Sequence, residues 1–245
     1  MLEAALWGLV GSSSLLAGAY AGLRFDVPSR AIGLVMGFGA GTLISAVSFE
    51  LTAEAFRQGG ADATAAGLAL GAIAYFAGDR QIEKRGGGQR MQHKGRSGGE
   101  TQAASSALLL GAILDGIPES AVIGISLLGG EGVGVAMVAA VFISNTPEAF
   151  SSTAGIREGV RDRGAILRRW LLVVLACTLA SALGFLLLDG ASGNMVALIQ
   201  AFAAGAVLTM LADTMIPEAY EHGGTPTGLV TVLGFALAAL LSATS

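Results

Sequence analysis

Two short stretches decide the fold: residues 115–120 read Asp-Gly-Ile-Pro-Glu-Ser, and residues 144–149 read Ser-Asn-Thr-Pro-Glu-Ala. They lie inside apolar runs of about 105–128 and 132–152, and each has a Pro-Glu pair with a polar residue four positions before the glutamate. On a helix, this spacing places the polar side chains on one face. A Gly-Gly-Glu turn at 129–131 joins the runs. We therefore predict an antiparallel helical hairpin with two polar faces at similar depth.

The acidic side chains of this hairpin are costly in an apolar environment. An ionised carboxylate at a helix centre in a bilayer costs roughly 2.5–3.5 kcal/mol, so Asp115, Glu119 and Glu148 together would cost on the order of 7 to 10 kcal/mol. No Lys or Arg lies in the middle of any apolar run of the chain. A bound cation, protons or a water-filled cavity must offset this cost, and each of these indicates transport.

The composition indicates a polytopic membrane protein. Of the 245 residues, 53% are hydrophobic and only 13% are charged, and 37 are glycine, which lets membrane helices approach closely. The single cysteine, Cys177, lies in an apolar run, where a buried thiol is expected. One cysteine excludes disulfide frameworks and cysteine-rich metal sites.

A search for apolar stretches long enough to cross a bilayer predicts eight spans. They cover approximately residues 2–23, 31–56, 61–78, 105–128, 132–152, 166–188, 195–217 and 226–241. If all eight cross the membrane, every Lys and Arg except Arg57 falls on the same side. By the positive-inside rule that side is cytoplasmic. We therefore predict a single all-α transmembrane domain over 1–245, in the plasma (inner) membrane, with both termini outside the cytoplasm.

The longest connection between predicted spans is residues 79–104. It is rich in glycine and charge and has almost no apolar residues. A segment of this composition does not bury enough apolar surface to fold, so we predict a flexible cytoplasmic loop between the third and fourth helices.

An internal repeat relates the second and seventh spans. Residues 37–60 align without a gap with residues 201–224, and both segments end in Glu-Ala-aromatic-x-x-Gly-Gly. The two spans are five apart and would cross the membrane in opposite directions, so the repeat is inverted. With the fourth and fifth spans between the two halves, this predicts a 3+2+3 inverted-repeat arrangement, which many secondary transporters build around a midplane site.

Further acidic residues lie near the ends of the repeated spans. Glu50 and Glu54 would lie near the outer end of the second span, and Asp213 and Glu218 near the inner end of the seventh, with His222 one turn beyond Glu218. We predict that these five residues mark a transport pathway for a cation.

These features together resemble the ZIP family of divalent-metal transporters, and the resemblance covers nearly the whole chain. That family has eight membrane helices in a 3+2+3 inverted repeat and a metal site between helices four and five. Its signatures His-Asn-x-Pro-Glu-Gly and His-Glu-x-Pro-Glu-Gly fall on residues 115–120 and 144–149. This chain departs from them, because Asp115 and Ser144 replace both histidines, Gly116 replaces the asparagine, and the sixth span lacks a central acidic residue.

The resemblance implies a metal site formed by Asp115, Glu119 and Glu148, with Ser144 or Asn145 as a weaker additional group. The implied substrate is a divalent cation, zinc or a related ion such as manganese, iron or cadmium, moved toward the cytoplasm. The second metal position of the family is expected to be lost. No resident cofactor and no nucleic-acid partner is implied; the partners are the metal ion and the lipid bilayer, and a homodimer is left open.

Three alternative functions are a transporter of another ion, an enzyme, and a structural or sensing protein. A transporter or channel on the same scaffold could move protons or an organic cation, with metal binding lost together with the histidines. An intramembrane aspartyl protease would pair Asp115 with Asp213, but Asp213 follows Leu-Ala and lacks a Gly-x-Gly-Asp motif, so no enzyme activity is expected. A structural or sensing role is the third reading.

Overall fold

The computed structural model of the protein describes residues 1–84, 100–127, 134–156 and 162–243. The regular structure of these residues is entirely helical, with no strand. The α-helices are α1 Leu2–Arg24, α2 Ser29–Ala46, α3 Ala53–Lys84, α4 Glu100–Ser126, α5 Val135–Ile156, α6 Arg163–Leu188, α7 Gly193–Met210, α8 Ile216–Gly223 and α9 Thr227–Ser242. Two π-helical segments interrupt the regular geometry: Val47–Thr52 joins α2 to α3, and Leu211–Met215 joins α7 to α8.

Four stretches of the described chain are long and apolar enough to cross a membrane. They are Leu2–Arg24, Ser29–Ile82, Arg163–Leu188 and Gly193–Gly223, and α9 is a shorter apolar helix. The all-α class and the presence of apolar helices of membrane-spanning length are thus confirmed, whereas the eight-helix 3+2+3 arrangement stays a prediction.

The helix boundaries near the predicted 79–104 loop differ from expectation. The third helix continues to Lys84 and the fourth begins at Glu100, so both ends of the predicted loop are helical. Lys84 is a helix-forming residue in the last turn, and the glycine-rich stretch begins only after it. Residues 85–99 lie outside the described part of the chain.

The two segments of the predicted repeat have the same backbone geometry. Their alignment pairs Val47 with Leu211, and these residues begin the two π-helical segments. It also pairs Gly60 with Gly224, which have φ of 70° and 73° and ψ of −171° and −160°. Only glycine adopts this region readily. Each segment therefore runs as helix, π-segment and helix, and then turns at a glycine.

The repeated segments also pack against each other in an equivalent way. A Cβ atom on Gly59 would meet Ala197, and a Cβ atom on Gly33 would meet the backbone of Gly223. Extended by four residues toward the N-terminus, the alignment also pairs Gly33 with Ala197, and within the repeats it pairs Gly59 with Gly223. The end of each repeat thus contacts the residue four positions before the start of the other repeat.

The helices form two packing groups around a shared core. In one group α1 packs along α5 and α6, and α4 packs along α6; in the other, α3 packs along α7, and α2 along α8 and α9. The two groups meet mainly where α2 contacts α5 and α4 contacts α7. The largest cluster of buried apolar side chains spans this boundary, with Met36 and Val47 from one group and Ile123 and Met137 from the other.

Candidate functional site

The residues predicted to bind metal all lie in the protein interior. Asp115 and Glu119 are on α4, and Ser144, Asn145 and Glu148 are on α5; each is at most 5% exposed. Interior positions are rare for carboxylates unless they are paired or bind a cation.

A proline lies inside each of these helices, one residue before the glutamate. Pro118 is in the interior of α4, and Pro147 is in the interior of α5. Because proline has no N–H, the carbonyl four residues earlier loses its helical donor; these carbonyls belong to Leu114 and Ile143. Each helix therefore has a backbone oxygen without its usual intrahelical partner next to a buried carboxylate.

The α4 half of the site is packed closely against α6. A Cβ atom on Gly116 would lie 2.7 Å from the Sγ atom of Cys177, and one on Gly124 would clash with the carbonyl of Ser181. A larger residue at 116 would displace the thiol, so the close packing of α4 on α6 at this point requires a glycine or a shift of Cys177.

Cys177 is buried, as the sequence predicted, and belongs to an apolar cluster that α6 forms with α1, α4 and α5. Its thiol also lies near the Ser120 hydroxyl and within electrostatic range of Glu119 and Glu148. Sequence reasoning did not connect Cys177 with the acidic pair. Nothing local in α6 could have done so, because the contact depends on how α6 packs against α4.

The α5 half is held between α1 and α2. A Cβ atom on Gly39 of α2 would lie 2.9 Å from the Cα atom of Ser144, and one on Gly18 of α1 would clash with the carbonyl of Thr146. The Ser144 hydroxyl donates to the carbonyl of Val141 in its own helix, at 3.1 Å. The buried side-chain nitrogen assigned to Asn145 has no hydrogen-bond partner among the described residues.

Tyr75 of α3 is a site residue that the sequence analysis missed. Its hydroxyl donates a 2.6 Å hydrogen bond to Oδ1 of Asp115, and Tyr75 is 3% exposed. A signal did exist, since Tyr75 lies within an apolar run predicted as a membrane span, and a buried tyrosine hydroxyl usually requires a partner.

The buried carboxylates do not form a ready-made metal site. In the part of the chain that the structure describes, no three His, Cys, Asp or Glu side chains are grouped so that they could hold a metal ion. The site therefore has acidic residues in the interior, and one of them, Asp115, is bonded to Tyr75.

Glu50, predicted as a pathway residue, lies at the beginning of α5. Its carboxylate packs against Gly134 and interacts with the backbone N–H of Met137 and the hydroxyl of Ser242. The N-terminus of a helix carries partial positive charge and unpaired N–H groups, so a carboxylate is stabilising there. Glu50 thus connects the first π-segment to the helix that carries Glu148.

Glu54 contacts side chains of its own helix. It forms an ion pair with Arg57, and it accepts a 2.5 Å hydrogen bond from the side chain of Gln58. Both partners lie within one turn of Glu54. These contacts do not connect Glu54 to the buried residues of α4 and α5.

The pathway residues of the second repeat have different surroundings. Asp213 lies in the second π-segment and is exposed, whereas Glu218 and His222 of α8 are half-buried. Nδ1 of His222 is 2.9 Å from the backbone carbonyl of Glu218. These residues occupy one continuous helical stretch, formed by the second π-segment and α8.

A comparison of the chain with models of known protein families finds no match, and neither does a comparison with curated proteins. The resemblance to the ZIP family therefore rests on the motifs of the chain itself.

Proposed function

We propose that this protein is a divergent ZIP-type transporter that moves a divalent metal cation across a membrane toward the cytoplasm. The proposed binding site lies between α4 and α5 and uses the carboxylates of Asp115, Glu119 and Glu148, with Ser144 or Asn145 as an additional oxygen donor. The proposed pathway contains Glu50, Glu54, Asp213, Glu218 and His222.

The observation that carries this proposal is the burial of three carboxylates beside two proline breaks. Asp115, Glu119 and Glu148 are each at most 5% exposed, and no basic residue lies in the middle of an apolar run. Burying several negative charges is unfavourable without a compensating cation or proton. The carbonyls released by Pro118 and Pro147 add neutral oxygen donors of the kind that bind ions.

The side chain of Asn145 supports the same position. Its buried amide atom has no hydrogen-bond partner among the described residues. The oxygen and nitrogen of an asparagine amide exchange places when the group rotates by half a turn, and their assignment depends on the surrounding contacts. In the rotated form, Asn145 presents an oxygen ligand to a cation at this position.

The repeated backbone supports a transporter architecture. The π-segments at Val47–Thr52 and Leu211–Met215, and the left-handed glycines that follow them, occur at equivalent positions of the two repeats. Within the proposal, these repeats form the outer parts of a 3+2+3 bundle of eight spans with both termini outside the cytoplasm. Interrupted helices in paired repeats are a common basis of alternating access.

The ligand types favour harder ions than in ZIP proteins that have histidines. Carboxylate, carbonyl and water oxygens suit manganese and magnesium, whereas imidazole suits zinc, copper and nickel. Asp115 occupies the position of a family histidine, so we propose that discrimination against manganese is weaker here. Zinc also accepts carboxylates and remains the reference substrate.

Metal uptake into vesicles containing the purified protein tests the proposal. The expected result is uptake of zinc or manganese by the wild type and its loss in Glu119→Ala, because the substitution removes one of the three proposed ligands. Glu3→Gln is the matched control, since Glu3 is exposed in the first turn of α1 and lies outside the proposed site and pathway, and this variant should transport normally. Wild-type uptake of zinc, manganese, iron and cadmium that equals empty vesicles would refute the proposal.

A proton or organic-cation transporter on the same scaffold is the second candidate. It is favoured by one observation: no three metal-binding side chains are grouped among the described residues. A pH-sensitive dye inside the same vesicles distinguishes the candidates, because this alternative predicts proton flux that depends on Glu119 without any added metal.

A further inference from the structure

The hydrogen bond between Tyr75 and Asp115 connects helices that otherwise have different neighbours. Tyr75 is on α3, which packs mainly along α7, whereas Asp115 is on α4, which packs mainly along α6. The donor and acceptor are separated by forty residues of chain and are 3% and 2% exposed. The bond is therefore a buried connection across the boundary between the two packing groups.

This bond engages a carboxylate that the proposed metal site requires. With Asp115 bonded to Tyr75, the described residues contain no group of three metal-binding side chains. A hydrogen bond to a charged group in the interior is stronger than one between neutral groups. The phenol occupies Oδ1 of Asp115, so a cation that binds this oxygen, or that draws Asp115 toward Glu119 and Glu148, competes with the phenol.

We propose that Tyr75 is a positioning residue that holds Asp115 away from Glu119 and Glu148 in the metal-free state. The cation binds when the hydrogen bond between Tyr75 and Asp115 breaks. This inference rests on the proposed function, because it assigns a control element to the same site. Binding is then linked to a rearrangement between α3 and α4.

The expected consequence is a weakened apparent affinity in the wild type. When the competent conformation is only fractionally populated, the apparent dissociation constant rises by the inverse of that fraction. Removing the phenol hydroxyl releases Asp115 without changing the ring, so Tyr75→Phe should bind metal more tightly. From the usual strength of a hydrogen bond to a charged group, the gain is about tenfold. A residue that served only to keep the site folded would weaken binding when changed.

The test is calorimetric titration of zinc into the full-length protein in detergent, after removal of metals with a chelator. The variants are Tyr75→Phe, Asp115→Asn and the double variant. Tyr20→Phe is the matched control, because it removes the same hydroxyl from a tyrosine that is 59% exposed on α1. Tyr75→Met, which also lacks a hydroxyl, replaces Tyr75→Phe if the latter does not fold.

An affinity gain of about tenfold in Tyr75→Phe, which is absent in Tyr20→Phe and disappears in the Asp115→Asn background, supports the proposal. If Tyr75→Phe binds zinc no more tightly than the wild type, the proposed role of Tyr75 is overturned. The proposed function is not affected by that result as long as the wild type binds zinc. A gain that persists in the Asp115→Asn background also overturns the proposed role of Tyr75, because the effect then does not act through Asp115. If zinc binds neither the wild type nor Tyr75→Phe, the titration is repeated with manganese, iron and cadmium, and absence of binding of all four ions overturns both proposals.

Discussion

The two repeats, residues 37–60 and 201–224, have the same backbone but different polar chemistry. Both contain a π-segment at the same position and end in a glycine with positive φ. In the first repeat Glu50 reaches α5, whereas the aligned residue of the second repeat, Thr214, donates a 2.7 Å hydrogen bond within its own helix. Both repeats thus share the π-segment and the glycine with positive φ. The polar contact to another helix, made by Glu50, is found in the first repeat and not at the aligned Thr214.

This difference separates the backbone features that both repeats need for packing from the polar side chains that only one repeat needs. Left-handed glycines and close helix contacts must be kept in both halves for the two repeats to pack on each other. Only the first repeat contacts the beginning of α5 in this way, so only that repeat requires a carboxylate, Glu50, at this position. Substitutions at the shared glycines and at the aligned polar residues distinguish these two kinds of feature.

The largest expected effect is at the two turn glycines. Gly60→Ala and Gly224→Ala should each destabilise the protein by about 1–3 kcal/mol, because an L residue is strained at these φ and ψ values. Equilibrium unfolding in detergent micelles measures the change. The control is Gly228→Ala, which also has open space for a Cβ atom but lies in α9 with ordinary φ. It should be neutral or slightly stabilising, and an equal loss there would exclude backbone strain as the cause.

An intermediate effect is expected where the repeats differ. Glu50→Gln keeps the shape of the side chain but removes its charge from the N-terminus of α5, and it should cost about 1 kcal/mol in the same unfolding assay. Thr214→Val, at the aligned position, should cost less than about 0.5 kcal/mol, because its hydroxyl bonds only within its own helix. Equal costs for the two variants would show that Glu50 does not stabilise α5.

The smallest effect is expected at the aligned pair Glu54 and Glu218. Glu54→Gln should change the free energy of unfolding by at most about 0.5 kcal/mol, since its ion-pair partner Arg57 is exposed and lies within one helical turn. Glu218→Gln should cost more, because one of its carboxylate oxygens is inside the protein. If Glu54→Gln proves the more damaging variant, the first repeat depends on this surface contact in a way the geometry does not explain.

Part of the candidate site could be predicted from the sequence because its signals are local. Proline before glutamate, polar residues four apart and long apolar runs are properties of adjacent residues, and they identified the buried face of α4 and of α5. The gap-free alignment of the repeats paired the residues that form the two π-segments, although the sequence did not predict the π-helical geometry. The sequence could not show that Asp115 is bonded to Tyr75 or that Cys177 lies beside Glu119, because each contact joins helices far apart in the chain.

The sequence alone thus determined the helical class, the membrane-length apolar helices, the burial of the acidic residues of α4 and α5, and the correspondence of the repeats. Hydrophobic burial and helix periodicity act over a few residues, so they can be read from neighbours in the chain. Tertiary structure decided that α3 continues to Lys84, that Glu50 lies at the beginning of α5, and that Tyr75 bonds Asp115. These depend on which helix surfaces fit closely together, and small residues such as Gly116 and Gly39 set that fit only when their partners are in place.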